Sequence, residues 1–434
     1  MIGTIIKNRT FVSLFASTFF VFASFTAFFP VLPLYLKQLD ASNFQIGSVM
    51  SAFPVGILLF RPVVSYLISK KGRRLTLIFG TVSLFLTSLL YFSTQNLNLL
   101  LLIRLLHGSG VSAFTTASIV LLSDSTTYEN RGRIMGIMGI ANYVGLGAGP
   151  YFADIVFKKW NINSVFVISA LLALAGFIAV LWLSESVSQG SDHQSRGNLR
   201  ETIFKRWVLV PAALNFLTAV IQGSILIFLP VFLKARGNLD AGAFYLFFSL
   251  AILFSRIIAG QAADRFGRGI VIVAASLFLV SAILTLSLTQ TMLVLIFAAL
   301  LYGAGYGSQQ PTLSALVADN TSYISRSHVF AFYYSMFDVG VLSAGFFLGA
   351  IADKFSVGAI YPIAIVMYLA GIILFITQNQ KNVSISLNWV LRRRTMGKTC
   401  KICNNALGVD PCHLCGHHGG FIKISEEDIQ KSIK

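Results

Sequence analysis

Cysteine is missing from residues 1–399; the four cysteines of the 434-residue chain, Cys400, Cys403, Cys412 and Cys415, all stand near its end. The body of the protein therefore has neither a disulfide framework nor a thiol nucleophile. Charge is scarce too: 11% of the residues are Asp, Glu, Lys or Arg, against about 25% in soluble domains. Acids are the scarcer sign, 16 against 33 lysines and arginines. With 56% hydrophobic residues and a mean hydropathy of +0.76, this deficit excludes a soluble globular domain and points to a chain solvated by lipid. No Gly-x-x-x-x-Gly-Lys-Ser/Thr loop is present, which argues against nucleotide-driven work. No nucleophile stands with a convincing base partner, so no catalytic residue is assigned and an enzyme is not expected.

What the chain has instead is long apolar runs. A run of about 18 or more apolar residues spans the hydrocarbon as a helix. Twelve qualify, at roughly 11–36, 44–69, 75–94, 97–123, 133–157, 163–184, 207–233, 241–264, 269–289, 291–318, 327–352 and 358–379. The first is too long for a signal-peptide core and lacks a small-residue cleavage site, so it reads as a retained anchor. The net charge of +17 would suit nucleic acid, but its placement decides otherwise. With a cytoplasmic N-terminus, fifteen basic residues before the tail fall on the cytoplasmic side, among them Lys70, Arg73, Arg74 and Arg268, and six on the outer side. The positive-inside rule then puts both termini in the cytoplasm of a multi-pass cell-membrane protein, with lipid and not nucleic acid around it.

The chain also repeats itself. Leu32-Pro33-Leu34-Tyr35-Leu36-Lys37 returns as Leu229-Pro230-Val231-Phe232-Leu233-Lys234. Further on the register settles at 195 residues, where Arg61, Gly72 and Arg73 meet Arg256, Gly267 and Arg268, and Gly108, Gly110 and Asp124 meet Gly303, Gly305 and Asp319. The expected fold is an all-α integral membrane protein: twelve transmembrane helices in two pseudo-symmetric six-helix halves, plus a small cytoplasmic metal-binding tail. Its divisions are 1–184, a polar linker at 185–206, 207–380, and the tail at 381–434. Membrane carriers are often built from two such halves with the substrate site between them near the midplane.

Short motifs sharpen this. Gly260, Asp264, Arg265, Gly267 and Arg268 stand as Gly-x-x-x-Asp-Arg-x-Gly-Arg, while the first half has Ser65 and Ser69 for the glycine and aspartate and keeps Gly72, Arg73 and Arg74. Arg104 and Gly108 stand as Arg-x-x-x-Gly, and Gly145, Gly149 and Pro150 as Gly-x-x-x-Gly-Pro, followed by Ala153 and Asp154. Over about residues 10–380 the chain resembles the major facilitator superfamily, in which the first motif marks the loop after the second helix of each half and acts as a conformational latch. The resemblance implies a latch stronger in the second half, because only that half has Asp264. Asp124 and Asp319, at cytoplasmic helix ends, are the expected partners of Arg73 and Arg268. The Gly145 motif resembles that of antiporters, whose trailing glycines are Ala153 and Asp154 here; small-residue packing is its plainer reading. Glu129–Arg133 and Phe337–Gly340 resemble bacterial and archaeal efflux permeases.

Ionisable residues at membrane depth usually face protein or a water-filled cavity. Arg61, Arg104, Arg256 and Asp338 qualify. Asp338, with Arg61 as its expected partner, is the candidate for carrying a coupling proton; the alternative is a structural ion pair joining the halves. The resemblance places the first, fourth, seventh and tenth helices around a cavity. It thereby makes Arg104, His107, Asn215, Gln222, Tyr302, Tyr306, Gln309 and Gln310 candidate substrate contacts. Arg104 could instead snorkel outward, and His107 could be a buried polar residue.

In the tail, Cys400-x-x-Cys403 and Cys412-x-x-Cys415 supply the four thiolates of a tetrahedral zinc site. Iron stays open on ligand type, and two disulfides are disfavoured in a reducing cytoplasm. Transport itself calls for no cofactor. The leading expectation is a secondary transporter exporting small organic solutes in exchange for protons. An uptake permease is the nearest alternative. A membrane sensor with a transporter-like core, whose tail docks a cytoplasmic protein, is the alternative of another class.

Overall fold

The computed structural model describes residues 9–126, 128–183, 206–237, 239–321 and 326–377, and the backbone of 398–400 and 421–423; the side chains of 128–133 and 326–327 are outside it. Linker residues 185–205 and Cys403, Cys412 and Cys415 lie outside the described residues, as does the side chain of Cys400.

The first span is two abutting helices, α1 (Arg9–Thr26) and α2 (Phe28–Gln38), and the rest of its half is α3 (Asn43–Lys71), α4 (Arg73–Leu90), α5 (Leu97–Asp124), α6 (Tyr128–Lys159) and α7 (Ile162–Leu181). The second half holds α8 (Arg206–Ala235), α9 (Ala241–Phe266), α10 (Arg268–Ser287), α11 (Met292–Asp319), α12 (Arg326–Ser343) continued by a π turn (Ala344–Leu348) into α13 (Gly349–Lys354), and α14 (Ile360–Thr377). Among the described residues, eleven helices are long and apolar enough to cross a membrane. Helix α6 is not one of the eleven, although it runs 32 residues. In the tail, β1 (Lys398–Cys400) pairs antiparallel with β2 (Phe421–Lys423), Cys400 opposite Phe421.

Local chemistry sets the ends. Ser42 caps α3 and receives the Gln45 N–H at 3.2 Å, while Gln45 Oε1 accepts the Ser42 N–H at 2.9 Å, a reciprocal box that satisfies two orphan donors. Asn96 caps α5 and Asp240 caps α9. The turns after α3 and α9 run through Gly72 (φ 86°) and Gly267 (φ 95°), 195 residues apart, in the left-handed region where a Cβ is strained. We refer to the ends at these turns, rich in arginine and lysine, as the basic face.

The duplication is structural. A Cβ on Gly108 would strike the Phe53 carbonyl, and one on Gly303 would strike the Phe248 carbonyl, so α3 packs on α5 as α9 packs on α11. The halves meet along two seams, α3 against α12, the π turn and α13, and α6 against α9, and α2 also packs on α8. In the first, Gly47 and Gly345 bring backbones together with no room for a Cβ on either, and Ser51 Oγ donates to the Leu342 carbonyl at 3.1 Å beside the π turn. Polar contacts between halves among the described residues lie midway along the helices or toward the face opposite the basic one. They include Arg61 with Asp338, Tyr143 with Arg256, Ser51 with Leu342, Asn43 and Phe44 with Asp353, Gly242 with Asp154, and Lys158 with Asp240.

Candidate functional site

Arg104 is fully buried. Helix α5 places its guanidinium 4.6 Å from the Phe53 ring centre and 5.5 Å from that of Phe28. Nη1 lies 3.3 Å from His107 Nδ1, itself 3.5 Å from the Tyr91 hydroxyl. No described carboxylate pairs with this arginine. Its Nε and His107 Nε2 are both buried without a hydrogen-bond partner. An arginine facing two rings gains cation–π attraction, but the cage leaves it without a counter-ion.

The candidates of the second half fall into two groups. Asn215, Gln222, Tyr302 and Gln309 are buried. Asn215 donates to the Tyr333 carbonyl at 2.9 Å and accepts from Gln310 at 3.0 Å, and Tyr302 donates to Gln222 at 2.8 Å. Gln309 ties α8, α10, α11 and α14 together: it accepts from Thr218 at 2.8 Å and donates to Ser276 at 2.7 Å and to the Tyr368 hydroxyl. Tyr306 and Gln310 are half-buried, and Tyr306 stacks on Tyr302 and meets Phe337 edge-on. An aromatic face beside an amide, partly open, is what a planar organic solute would use.

Midway along the first seam, Arg61 Nη2 lies 2.7 Å from Asp338 Oδ2. The geometry is that of an ion pair rather than an aligned hydrogen bond, because that oxygen has no hydrogen-bond partner. Its repeat-related counterpart carries no acid: Arg256 donates to the Tyr143 hydroxyl and lies 5.1 Å from the ring centre. One seam is charged at mid-depth and the other is not.

At the basic face Arg73 pairs with Asp124 at 2.8 Å and Arg268 with Asp319 at 2.5 Å, each within one half. Gly260, Asp264 and Arg265 are exposed. Asp264 makes no ion pair with a described residue, Arg265 lies over the Phe266 ring, and a Cβ on Gly260 would meet nothing within 4 Å. Asp264 is thus exposed and outside any ion pair with a described residue in this conformation, so it is expected to act when the basic face closes. Asp264→Asn should shift the balance away from that closed form by about two- to fivefold, the worth of a carboxylate at a helix N-terminus. Altering Ser69 should shift it less. Labelling of cysteines introduced at the basic face would measure both; equal labelling in the two variants would remove the asymmetry.

Gly145 and Gly149 seat α6 on α1. A Cβ on Gly145 would come within 2.7 Å of the Phe19 carbonyl, and one on Gly149 would clash with the Ala23 carbonyl, with Pro150 following. That is close helix packing. Sequence reasoning passed over Tyr91, Lys158, Asp240 and Asp353. The signal for the neighbourhood of Lys158 and Asp240 was the acid at Asp154 where the motif expects glycine.

The Major Facilitator Superfamily profile matches residues 14–344. The multidrug resistance protein MdtG of Escherichia coli (strain K12 / DH10B) is 24% identical over 402 residues, covering 89% of this chain and 96% of that protein. Among solved structures, the nucleoside transporter NupG, solved as a point mutant, has a TM-score of 0.72 at 13% identity, covering 86% of this chain and 100% of its own. The human organic anion transporter MFSD10 (TETRAN) has a TM-score of 0.62 at 16% identity, covering 85% and 99%. Both structural likenesses concern the fold. With the repeat, the two seams and the signature loops in place, the chain belongs to the Major Facilitator Superfamily.

Proposed function

We propose that the protein is a secondary transporter of twelve spans, α6 being the fifth, that exports small organic solutes by alternating access in exchange for protons. The observation that carries this reading is the pair of seams. Two repeat-related halves are tied together toward one face, while the basic-face ion pairs Arg73–Asp124 and Arg268–Asp319 each lie within one half, the arrangement expected when one end of a central pathway is shut. By the positive-inside rule the basic face is cytoplasmic, with both termini on that side, so this conformation would take solute from the cytoplasm. Tyr306 and Gln310 are the contacts open to it, and Arg104 would join when its cage is opened from the other face. Multidrug resistance in the name of MdtG and organic solutes in the names of the two structural neighbours agree with this substrate class. In the tail, the β1–β2 pairing holds together the two ends of the segment bearing the four cysteines. Four thiolates are the donor set of structural zinc, and such a module would offer a cytoplasmic protein a docking surface.

The test is flux of a compound panel in proteoliposomes with and without an imposed pH gradient. Uphill movement of a solute opposite to the proton flow is the expected result. Uphill movement with the proton flow would mark an uptake permease, and binding without flux a sensor.

A further inference from the structure

Each seam carries an arginine at mid-depth, Arg61 on the first and Arg256 on the second, 195 residues apart. Arg61 has Asp338 at 2.7 Å. Arg256 donates to the Tyr143 hydroxyl and lies 5.1 Å from that ring's centre, and the ion pairs among the described residues do not include it. A phenol accepts from a guanidinium but cancels none of its charge. On the seams at this depth, two guanidinium groups therefore stand against one described carboxylate, which leaves one positive charge over. A cation at bilayer depth is expensive and turns toward protein or a water-filled path.

Arg256 is turned to the inside. Its neighbours on α9, Phe254, Ile257 and Ile258, are 69%, 68% and 67% exposed and mark the lipid side, whereas Ser255 and Ala259 are buried. At 3.6 residues per turn Arg256 points roughly 150° away from the middle of that exposed side. It is half-buried, as are Tyr143, Tyr306 and Phe337. Helices α9 and α11 touch at this level: Ser255 Oγ donates to the Gly303 carbonyl at 3.2 Å, and a Cβ on Gly307 would strike Ser255 Oγ. Arg256 follows Ser255 in the chain and Tyr306 precedes Gly307, so the guanidinium and the phenol ring leave the two helices at a common depth. Across from α11, Tyr306 meets Phe337 of α12 with ring centres 6.4 Å apart.

We propose that Arg256, with Tyr143 beside it, is the anion subsite of the pathway, and that the solute it takes is an aromatic carboxylate whose ring lies on Tyr306. That this solute is cargo rests on the export reading; the recognition chemistry follows from the residues. The planar fork of a guanidinium matches the two oxygens of a carboxylate. The Tyr143 hydroxyl accepts from Arg256 and so keeps its own hydrogen for one of those oxygens. The solute then supplies the negative charge that the second seam lacks. A neutral solute of the same shape leaves Arg256 uncompensated, and a cationic one adds to the excess, because the acid at this depth, Asp338, is already held by Arg61. The ring of the solute finds Tyr306 and Phe337, which suit offset or edge-on aromatic contact.

The test is equilibrium binding rather than flux. Radiolabelled 2-naphthoate and 2-naphthamide share a ring system and a size and differ by one charge. Each is offered to the full chain in lipid nanodiscs at neutral pH, and uptake by empty nanodiscs is subtracted. The carboxylate should bind about 10- to 100-fold more tightly than the amide, the worth of a charge-assisted hydrogen bond. Arg256→Gln should bring 2-naphthoate down to the level of the amide, and Arg256→Lys, which keeps the charge and loses the fork, should retain part of the preference. Tyr306→Ala should weaken both probes alike, by about two- to tenfold, and leave their ratio unchanged. The wild-type ratio needs no variant, so a substitution that fails to fold does not remove the test. A wild-type protein that binds neither probe, or binds both equally, overturns the subsite, as does a folded Arg256→Gln protein that keeps the preference. If 2-naphthoate binds through Arg256 but no compound moves against its gradient with protons, the export reading fails and the subsite stands. Proton-driven export of neutral solutes by a protein that ignores 2-naphthoate would mean the reverse.

Discussion

Arg104→Met should yield a protein that is more stable to heat and poorer at transport. A buried ion without a counter-ion carries a desolvation penalty of several kcal/mol even after relaxation, and Arg104 is fully buried with no described carboxylate against it. Its compensation is the Phe53 and Phe28 faces and His107. A desolvated cation–π contact returns about 2 kcal/mol. Removing the charge leaves His107 and Tyr91, already 3.5 Å apart, free to bond with each other, so little unsatisfied polarity is left behind. Methionine fills the stem volume and suits an aromatic cage. The balance is a gain of about 1–3 kcal/mol, read as a higher unfolding temperature in detergent. A charge kept at such a cost is expected to work in another conformation. If Arg104 then contacts solute, losing a charge-assisted hydrogen bond of about 1.5–3 kcal/mol lowers transport efficiency about 10- to 100-fold. Unchanged transport by the stabilised variant would leave Arg104 without a functional role, and a lower unfolding temperature would mean the aromatic cage depends on its cation.

The parts of this architecture legible in the sequence are those governed by one-dimensional rules. Hydrophobic length marks the spans, and the 195-residue register pairs Gly72 with Gly267, which the structure finds at φ 86° and 95°. Helical rise puts Arg61 and Asp338 at similar depths, and they do meet. Rise gives depth but not which way a side chain points around the helix. Sequence therefore grouped Gln309 with Gln310, whereas Gln309 is bonded into the interior of its half and Gln310 is half-buried beside Asn215. Sequence leaves snorkelling open to Arg104, but the rings of Phe28 and Phe53, from two other helices, enclose it. Asp154 and Asp240 are 86 residues apart with no motif between them, so only the packing of α6 on α9 brings them together.

Asp338→Asn should uncouple transport from the pH gradient while leaving exchange of solute intact. The variant should fold, because the orphaned Arg61 side chain is 36% exposed and can stay hydrated, and the carboxamide keeps the size of the acid. What it removes is the one described acid at mid-depth on a seam between halves; the matching position, Tyr143, binds Arg256 through a neutral hydroxyl. In the wild type, a proton on Asp338 replaces a charge–charge attraction across the seam by a neutral contact, so α3 and α12 part more readily when it is protonated. Deprotonation then restores the tie. A carboxylate whose proton affinity differs between the two conformations links proton binding to the choice of conformation. One coupled proton allows about tenfold accumulation per unit of pH difference, and Asp338→Asn should bring that ratio back to about one. Exchange of labelled for unlabelled solute, which needs no net proton movement, should continue at a comparable rate. Proteoliposomes carrying the variant and an imposed pH gradient decide the matter: accumulation at the wild-type ratio would mean that the proton travels elsewhere and that Arg61–Asp338 only joins the halves.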